Sequence, residues 1–267
     1  MAWAVVAMVV YFSPQAKADP ARIQIVTQSF APLQWDNNGK PDGYVSAFML
    51  AVAERVNRTM PVKISAYEFL PWKRAMLVAE TQPNVLFFSI SRTPEREEKF
   101  IWVGEVSPYG QNLYQLSSAP RISVDRIDEL LDLKVRIGVQ NGGNLHSYLR
   151  KRGFEDAGKL VPITDYHQGI EMLFLNRVDL LPLTGFLAKA SACKQGYDGN
   201  LLRPVILVKD LARPLWAVFS KGTDPALVAA FRQEMANLKA AGYLEAQIRE
   251  HQLNWQTLAC GALTAGK

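Results

Sequence analysis

Phe87-Phe88-Ser89-Ile90-Ser91-Arg92-Thr93-Pro94-Glu95-Arg96-Glu97-Glu98-Lys99-Phe100-Ile101-Trp102 reads as a strand, a tight loop, a helical turn and a second strand. Val85 to Ile90 is a short apolar run of the kind that makes a buried strand, and Thr93-Pro94 is a helix-start signal, with a hydroxyl at the N-cap and proline first in the helix. Small hydroxyl residues therefore stand where a strand gives way to a helix. Such a junction offers backbone N–H groups to an anion, and Arg96, one turn in, adds a guanidinium that can clamp a carboxylate. Arg96 either meets a ligand's carboxylate or pairs with Glu95 beside it.

Working outward, Arg22 to Thr27 alternates as a strand and runs into Gln28-Ser29-Phe30-Ala31-Pro32-Leu33-Gln34-Trp35, a loop with two aromatics. Asn37 to Gly43 is dense in turn formers and predicts a hairpin or loop. Between Tyr44 and Asn57, Val45, Phe48, Met49, Val52 and Val56 recur at helical spacing and predict one face packed on a sheet. Pro61 to Glu68 is a further strand, and Pro71 opens a helix in which Trp72 either projects toward a cleft or covers the helix end. Phe100 to Val106 returns across the sheet.

Gln111 to Ser118 should cross into a second unit. There Leu130 to Gly143 reads as helix, strand and glycine turn, with a helix from about Asn144 to Arg152. Leu160 to Thr164 is a strand, Asp165 a plausible cap, and Tyr166 to Asn176 a helix with Ile170, Leu173 and Phe174 inward. Pro204 to Val208 is a strand before the return. Leu215 to Lys221 is then a strand of the first unit, followed by a helix capped by Asp224-Pro225 with Leu227, Phe231, Met235 and Leu238 inward. Tyr243 to Gln252 is a last helix.

Residues 1–18 are set aside as a signal peptide. Ala2 to Phe12 has the length of its apolar region, too short to span a bilayer, and Ala16-Lys17-Ala18 matches a cleavage site, so export to the periplasm with cleavage near Ala18 is expected. No basic residue precedes the run, which points to a start codon further upstream; a membrane-tethered N-terminus is the alternative. The full chain of 267 residues carries 30 basic and 25 acidic residues, so without Lys17 the product is +4, and the basic residues are scattered rather than clustered as nucleic-acid binding would require. Cys193 and Cys260 form one disulfide or stay as two thiols. The three histidines lack metal-ligand spacing, and no nucleophile elbow, phosphate loop or diagnostic carboxylate pair is present, so neither a metal nor a cofactor is expected.

The run Ser89 to Glu97, followed by an aromatic strand and Ser107-Pro108-Tyr109, resembles the periplasmic solute-binding proteins of family 3, the receptors of polar amino-acid ABC transporters. The likeness extends over nearly the whole mature chain. It implies an α/β, type II periplasmic-binding fold, with two α/β lobes joined by two crossover strands and a ligand cleft between. Residues 19–110 and 209–256 would form the first lobe, 111–208 the second, and 257–267 a C-terminal tail.

By the same resemblance Arg96 and Ser91 hold the ligand's carboxylate and Phe30 stacks on its body, with Trp35 nearby. Gly143 and Asn144 stand where the family has a carboxylate-binding Gly-Thr pair, the hydroxyl being lost; Asn144 is otherwise a plain helix cap. Thr184 stands where an aspartate usually holds the ammonium, which removes that ion's strongest partner. The expected function is capture of a small anionic or zwitterionic solute, a polar amino acid or related compound, by hinge closure, with delivery to an ABC transporter permease by a monomer that is not an enzyme. A cyclohexadienyl dehydratase-like enzyme and a ligand sensor on the same fold are the alternatives.

Overall fold

The apolar run that opens the sequence argument lies at the centre of a five-stranded sheet. The computed structural model describes residues 19–185 and 187–264, with side chains as far as Asn254. The predicted signal peptide, residues 1–18, lies outside them.

β1 (Ala21–Thr27) leads through a loop to a two-stranded hairpin, β2 (Trp35–Asn37) and β3 (Lys40–Asp42), and then to α1 (Tyr44–Val56). β4 (Val62–Phe69), α2 (Trp72–Thr81) and β5 (Val85–Ser91) follow, then α3 (Pro94–Glu97) and β6 (Phe100–Ser107). β5 is buried from Val85 to Ile90 because the sheet is covered on both faces. On one side Val45, Phe48, Met49, Val52 and Val56 of α1 are fully buried, each gaining about 2 kcal/mol relative to exposure. On the other, Trp72, Ala75 and Ala79 of α2 pack on Val85, Phe87 and Ile90.

The chain then leaves the sheet. β7 (Gln111–Leu116) begins a second lobe with β8 (Ile137–Gln140), α4 (Asn144–Arg150), β9 (Leu160–Ile163), α5 (Tyr166–Phe174), β10 (Leu181–Thr184), α6 (Ala188–Lys194) and β11 (Leu202–Leu207). It holds an antiparallel sheet in the order β10-β7-β11 and a parallel pair β8-β9, bridged at Ile137 and Leu180. β12 (Leu215–Ser220) returns to the first sheet, antiparallel between β5 and β6, giving the order β4-β1-β5-β12-β6. α7 (Pro225–Ala240) starts on the Asp224 cap, whose carboxylate accepts from the Ala226 amide at 2.9 Å, and buries Leu227, Phe231, Met235 and Leu238. Asp165 caps α5 in the same way, accepting from the Gln168 amide at 2.8 Å.

Four readings change. α3 is a single turn of four residues, so its dipole contributes little, and the Thr93 side chain makes no cap bond but reaches the Glu95 carboxylate instead. Gly143, not Asn144, is the N-cap of α4. α6 was not foreseen: Ala188 to Lys194 is mostly small residues with no apolar stripe, yet it packs on α8. α8 (Tyr243–Thr264) runs twelve residues past Gln252, through the stretch read as a tail, because no proline stops it. Cys193 of α6 is disulfide-bonded; the side chain of the second cysteine, Cys260, lies outside the described residues.

Candidate functional site

β5 delivers the chain to the inter-lobe space, and the single turn of α3 aims Arg96 into it. Arg96 is only 8 % exposed, donates from Nη1 to the Ser91 carbonyl at 3.0 Å, and lies over the Trp72 ring with its guanidinium carbon 5.2 Å from the centroid. Among the described residues no carboxylate forms an ion pair with it. Its neighbour Glu95 is taken by Lys151 of the second lobe. Burial pulls the Arg96 guanidinium down to about 10, partly offset by the fields of Glu95 and Glu80. Arg92, four residues earlier, is spent on structure: it pairs with Glu97 and lies over the rings of Trp102 and Trp216. A buried guanidinium with donors to spare can receive a carboxylate in a bidentate pair.

Around Arg96 is a narrow cavity with about 40 Å³ open to the centres of water-sized molecules. Ser91, Phe30, Trp72, Gly143 and Asn144 all line it. The glycine turn supplies surface more than donors: the Gly143 amide already bonds the Gln140 carbonyl at 2.8 Å, and the Gly142 amide bonds His146 Nδ1 at 3.0 Å.

The rest of the lining is a neutral polar set without a motif. Gln28 directly follows β1 and Gln140 ends β8, and Gln140 donates to the Gln28 side-chain carbonyl at 2.6 Å across the lobes. Gln111 donates to the Tyr166 hydroxyl at 2.8 Å, and Tyr109 lies 3.4 Å from the same oxygen. Burial pushes the Tyr109 phenol well above its ordinary range and raises Tyr166, so both stay neutral. Ser89, at φ 62°, turns its hydroxyl to Gln34 at 2.7 Å. The signal that could have found the glutamines is positional: both stand at the C-terminal ends of parallel strands, where ligands of open α/β sheets bind. No carboxylate is among the described residues that line this cavity.

Trp35 and Thr184 are elsewhere. Both line a second cavity, of about 330 Å³ by the same measure, behind a stack of Phe30 on Tyr166. Trp35 there lies under the Lys194 ammonium, 4.8 Å from its ring centroid. Thr184 is buried, and its hydroxyl oxygen lacks a hydrogen-bond partner.

Residues 23–252 match the model of the bacterial extracellular solute-binding proteins, family 3. The chain belongs to that family. Solved structures of the same fold include an ancestral arginine-binding protein bound to arginine, 19 % identical over 86 % of this family 3 chain and 97 % of that one, with TM-score 0.71. A histidine kinase sensor domain similar to periplasmic binding proteins has 18 % identity, coverage of 86 % and 96 %, and TM-score 0.71. An ancestral amino-acid-binding protein described as a precursor of cyclohexadienyl dehydratase has 16 %, 86 % and 94 %, and 0.67. At these identities the likeness is one of fold. No curated protein sequence matches the chain.

Proposed function

We propose that this family 3 protein is a periplasmic receptor, exported by the segment 1–18, that captures a small carboxylate-bearing solute and presents it to an ABC transporter permease. The observation that carries the reading is Arg96, a buried cation with no carboxylate partner among the described residues. Arg96 and Ser91 hold the carboxylate from the first lobe (19–110 and 209–256), and the Gly143-Asn144 turn closes on it from the second (111–208). Phe30 and Trp72 supply apolar walls. The protein works as a monomer without a cofactor.

The dehydratase-like alternative would use a cleft carboxylate as acid or base, and the described lining residues of both cavities hold His146, His167 and Lys194 but no carboxylate. A polar amino acid is the solute expected from the family, yet its ammonium meets Thr184 in place of an aspartate.

The test is calorimetric titration of mature, refolded protein with L-amino acids and with matched acids lacking the amine. Binding in either panel that Arg96→Ala abolishes is the expected result. Silence in both panels from a cooperatively folded protein overturns it.

A further inference from the structure

Phe30, on the loop after β1, and Tyr166, at the start of α5, lie ring on ring at 4.8 Å and 15°, and each walls both cavities. The space between the lobes is thus divided. On the Arg96 side about 40 Å³ is open, room for about three waters at ~10–15 Å³ each. That suits a carboxylate head but not the body of a solute. On the far side about 330 Å³ is open, framed by Trp35, Ile170, Leu183, Leu187 and Ala188.

Two described side chains have a buried polar atom without a hydrogen-bond partner, Thr184 at Oγ1 and Gln195 at Oε1, and both line this second cavity. Thr184 is 5 % exposed. Buried polar atoms are seldom left unsatisfied; these two are covered by neighbouring atoms but belong to residues that line one chamber, so a turn of either side chain would present it to a ligand's polar end. Gln195 Oε1 only accepts and the threonine hydroxyl both donates and accepts, so a hydroxyl or a carboxamide matches them. A cation does not. Lys194 is the one permanently charged side chain among the described lining residues, and burial already lowers its pKa.

We propose that the second cavity is the other half of the ligand site, taking the neutral, mainly apolar body of the solute whose carboxylate Arg96 holds, with a hydroxyl or carboxamide at the far end. This rests on the carboxylate-capture reading above. Joining the two halves requires the Phe30 ring to turn aside: its backbone is held by Gln34 and its ring also meets Tyr109 edge-on, while the Tyr166 hydroxyl is held by Gln111 and Tyr109.

Trp72 lines the first cavity and Trp35 the second, so protein labelled with 5-fluorotryptophan carries a fluorine reporter in each. The probes are acetate, butyrate, hexanoate and 6-hydroxyhexanoate, with affinities from calorimetry. Acetate should move the Trp72 signal alone, and hexanoate should move Trp35 as well. Affinity should rise about fourfold per methylene beyond the partition. In Ser191→Trp, which fills the second cavity, hexanoate should fall back to the affinity of acetate. Thr184→Val, which keeps the shape, should weaken 6-hydroxyhexanoate severalfold and spare hexanoate. No gain with length, or a gain that survives Ser191→Trp, overturns the inference while Arg96-dependent acetate binding leaves the carboxylate reading standing. If no acid moves Trp72, that reading fails. 1-Hexanol then decides the cavity: a Trp35 shift that Ser191→Trp abolishes keeps it as a neutral-ligand site, and no shift overturns it.

Discussion

In the proposed receptor, Arg96 sets function against stability at a single residue. Its guanidinium is held near 10 by burial, below its ordinary value, and a basic group depressed on folding opposes folding while it is charged. The penalty is present below about pH 10 and fades as pH rises from there toward the ordinary value. A bound carboxylate offsets it by supplying the missing opposite charge. Arg96→Met should therefore raise the stability of the ligand-free protein by about 1–2 kcal/mol in urea denaturation, the lost bond to Ser91 taking back part of the gain. The same change should weaken carboxylate binding at least about 100-fold, and Arg96→Lys about tenfold, since an ammonium cannot reproduce the planar fork. Lower stability in Arg96→Met would mean that the side chain holds the fold rather than the ligand. Arg96 was legible in the sequence because a charged residue one turn after Ser91 has few uses. Gln28, Gln140 and Tyr166 were not: neutral polar residues of common type carry no spacing signal, and only the meeting of two strand ends makes them a site.

At the scale of elements, the periodic stretches were legible and the irregular ones were not. α1 and α7 announced themselves by apolar spacing, and β5 by an apolar run interrupted only at Ser89. α6 has no such stripe, and its place depends on α8, distant in sequence. The join between the β2-β3 hairpin and α1 depends on one glycine. Gly43 has φ 103°, and a Cβ there would meet the Leu33 carbonyl oxygen at 2.4 Å. Gly39, in the hairpin turn at φ 82°, has nothing within 4 Å of the same added atom. Gly43→Ala should cost on the order of 3 kcal/mol and Gly39→Ala about 1 kcal/mol, because only the former adds a backbone clash to the dihedral strain. Equal losses in the two variants would show that the clash relaxes. α2 carries the other contact that matters here: Trp72 Nε1 donates to the Gly142 carbonyl at 3.2 Å, joining the lobes. Trp72→Phe keeps a ring beside Arg96 and removes that donor, so affinity should fall about two- to tenfold, with a larger radius of gyration in solution scattering. An unchanged radius would detach the indole from closure.

Across the whole molecule, the lobes are drawn together by contacts of different kinds: the Gln140–Gln28 and Trp72–Gly142 hydrogen bonds, the Phe30–Tyr166 stack and the Glu95–Lys151 ion pair. The last holds a carboxylate below its ordinary range, and a second ion pair, Arg152–Asp210, ties the second lobe to the returning chain. The hydrogen bond from Lys151 holds the Glu95 carboxylate at about 2, below its ordinary 4.5. A carboxylate whose pKa is depressed in one state favours that state above its free value and loses the favour as pH falls. Thr93 and the backbone at Glu95 also lower the Glu95 pKa and stay with it when the lobes part, so the bias toward the closed form begins to fade somewhat below 4.5 and is lost progressively toward about 2. Both partners are more than half exposed, so the effect is small and salt-sensitive. Other depressed carboxylates leave closure alone: Glu97 pairs with Arg92 within the first lobe, and Glu129 and Asp179 find their partners within the second. Solution scattering of ligand-free protein from pH 6 to pH 3 at low salt should show the open population rising through this window. Glu95→Gln should be more open at pH 6 and flat across the range. Acid opening that persists unchanged in Glu95→Gln would place the titrating contact elsewhere between the lobes, while loss of cooperative folding over the same range would trace it to unfolding rather than to the hinge.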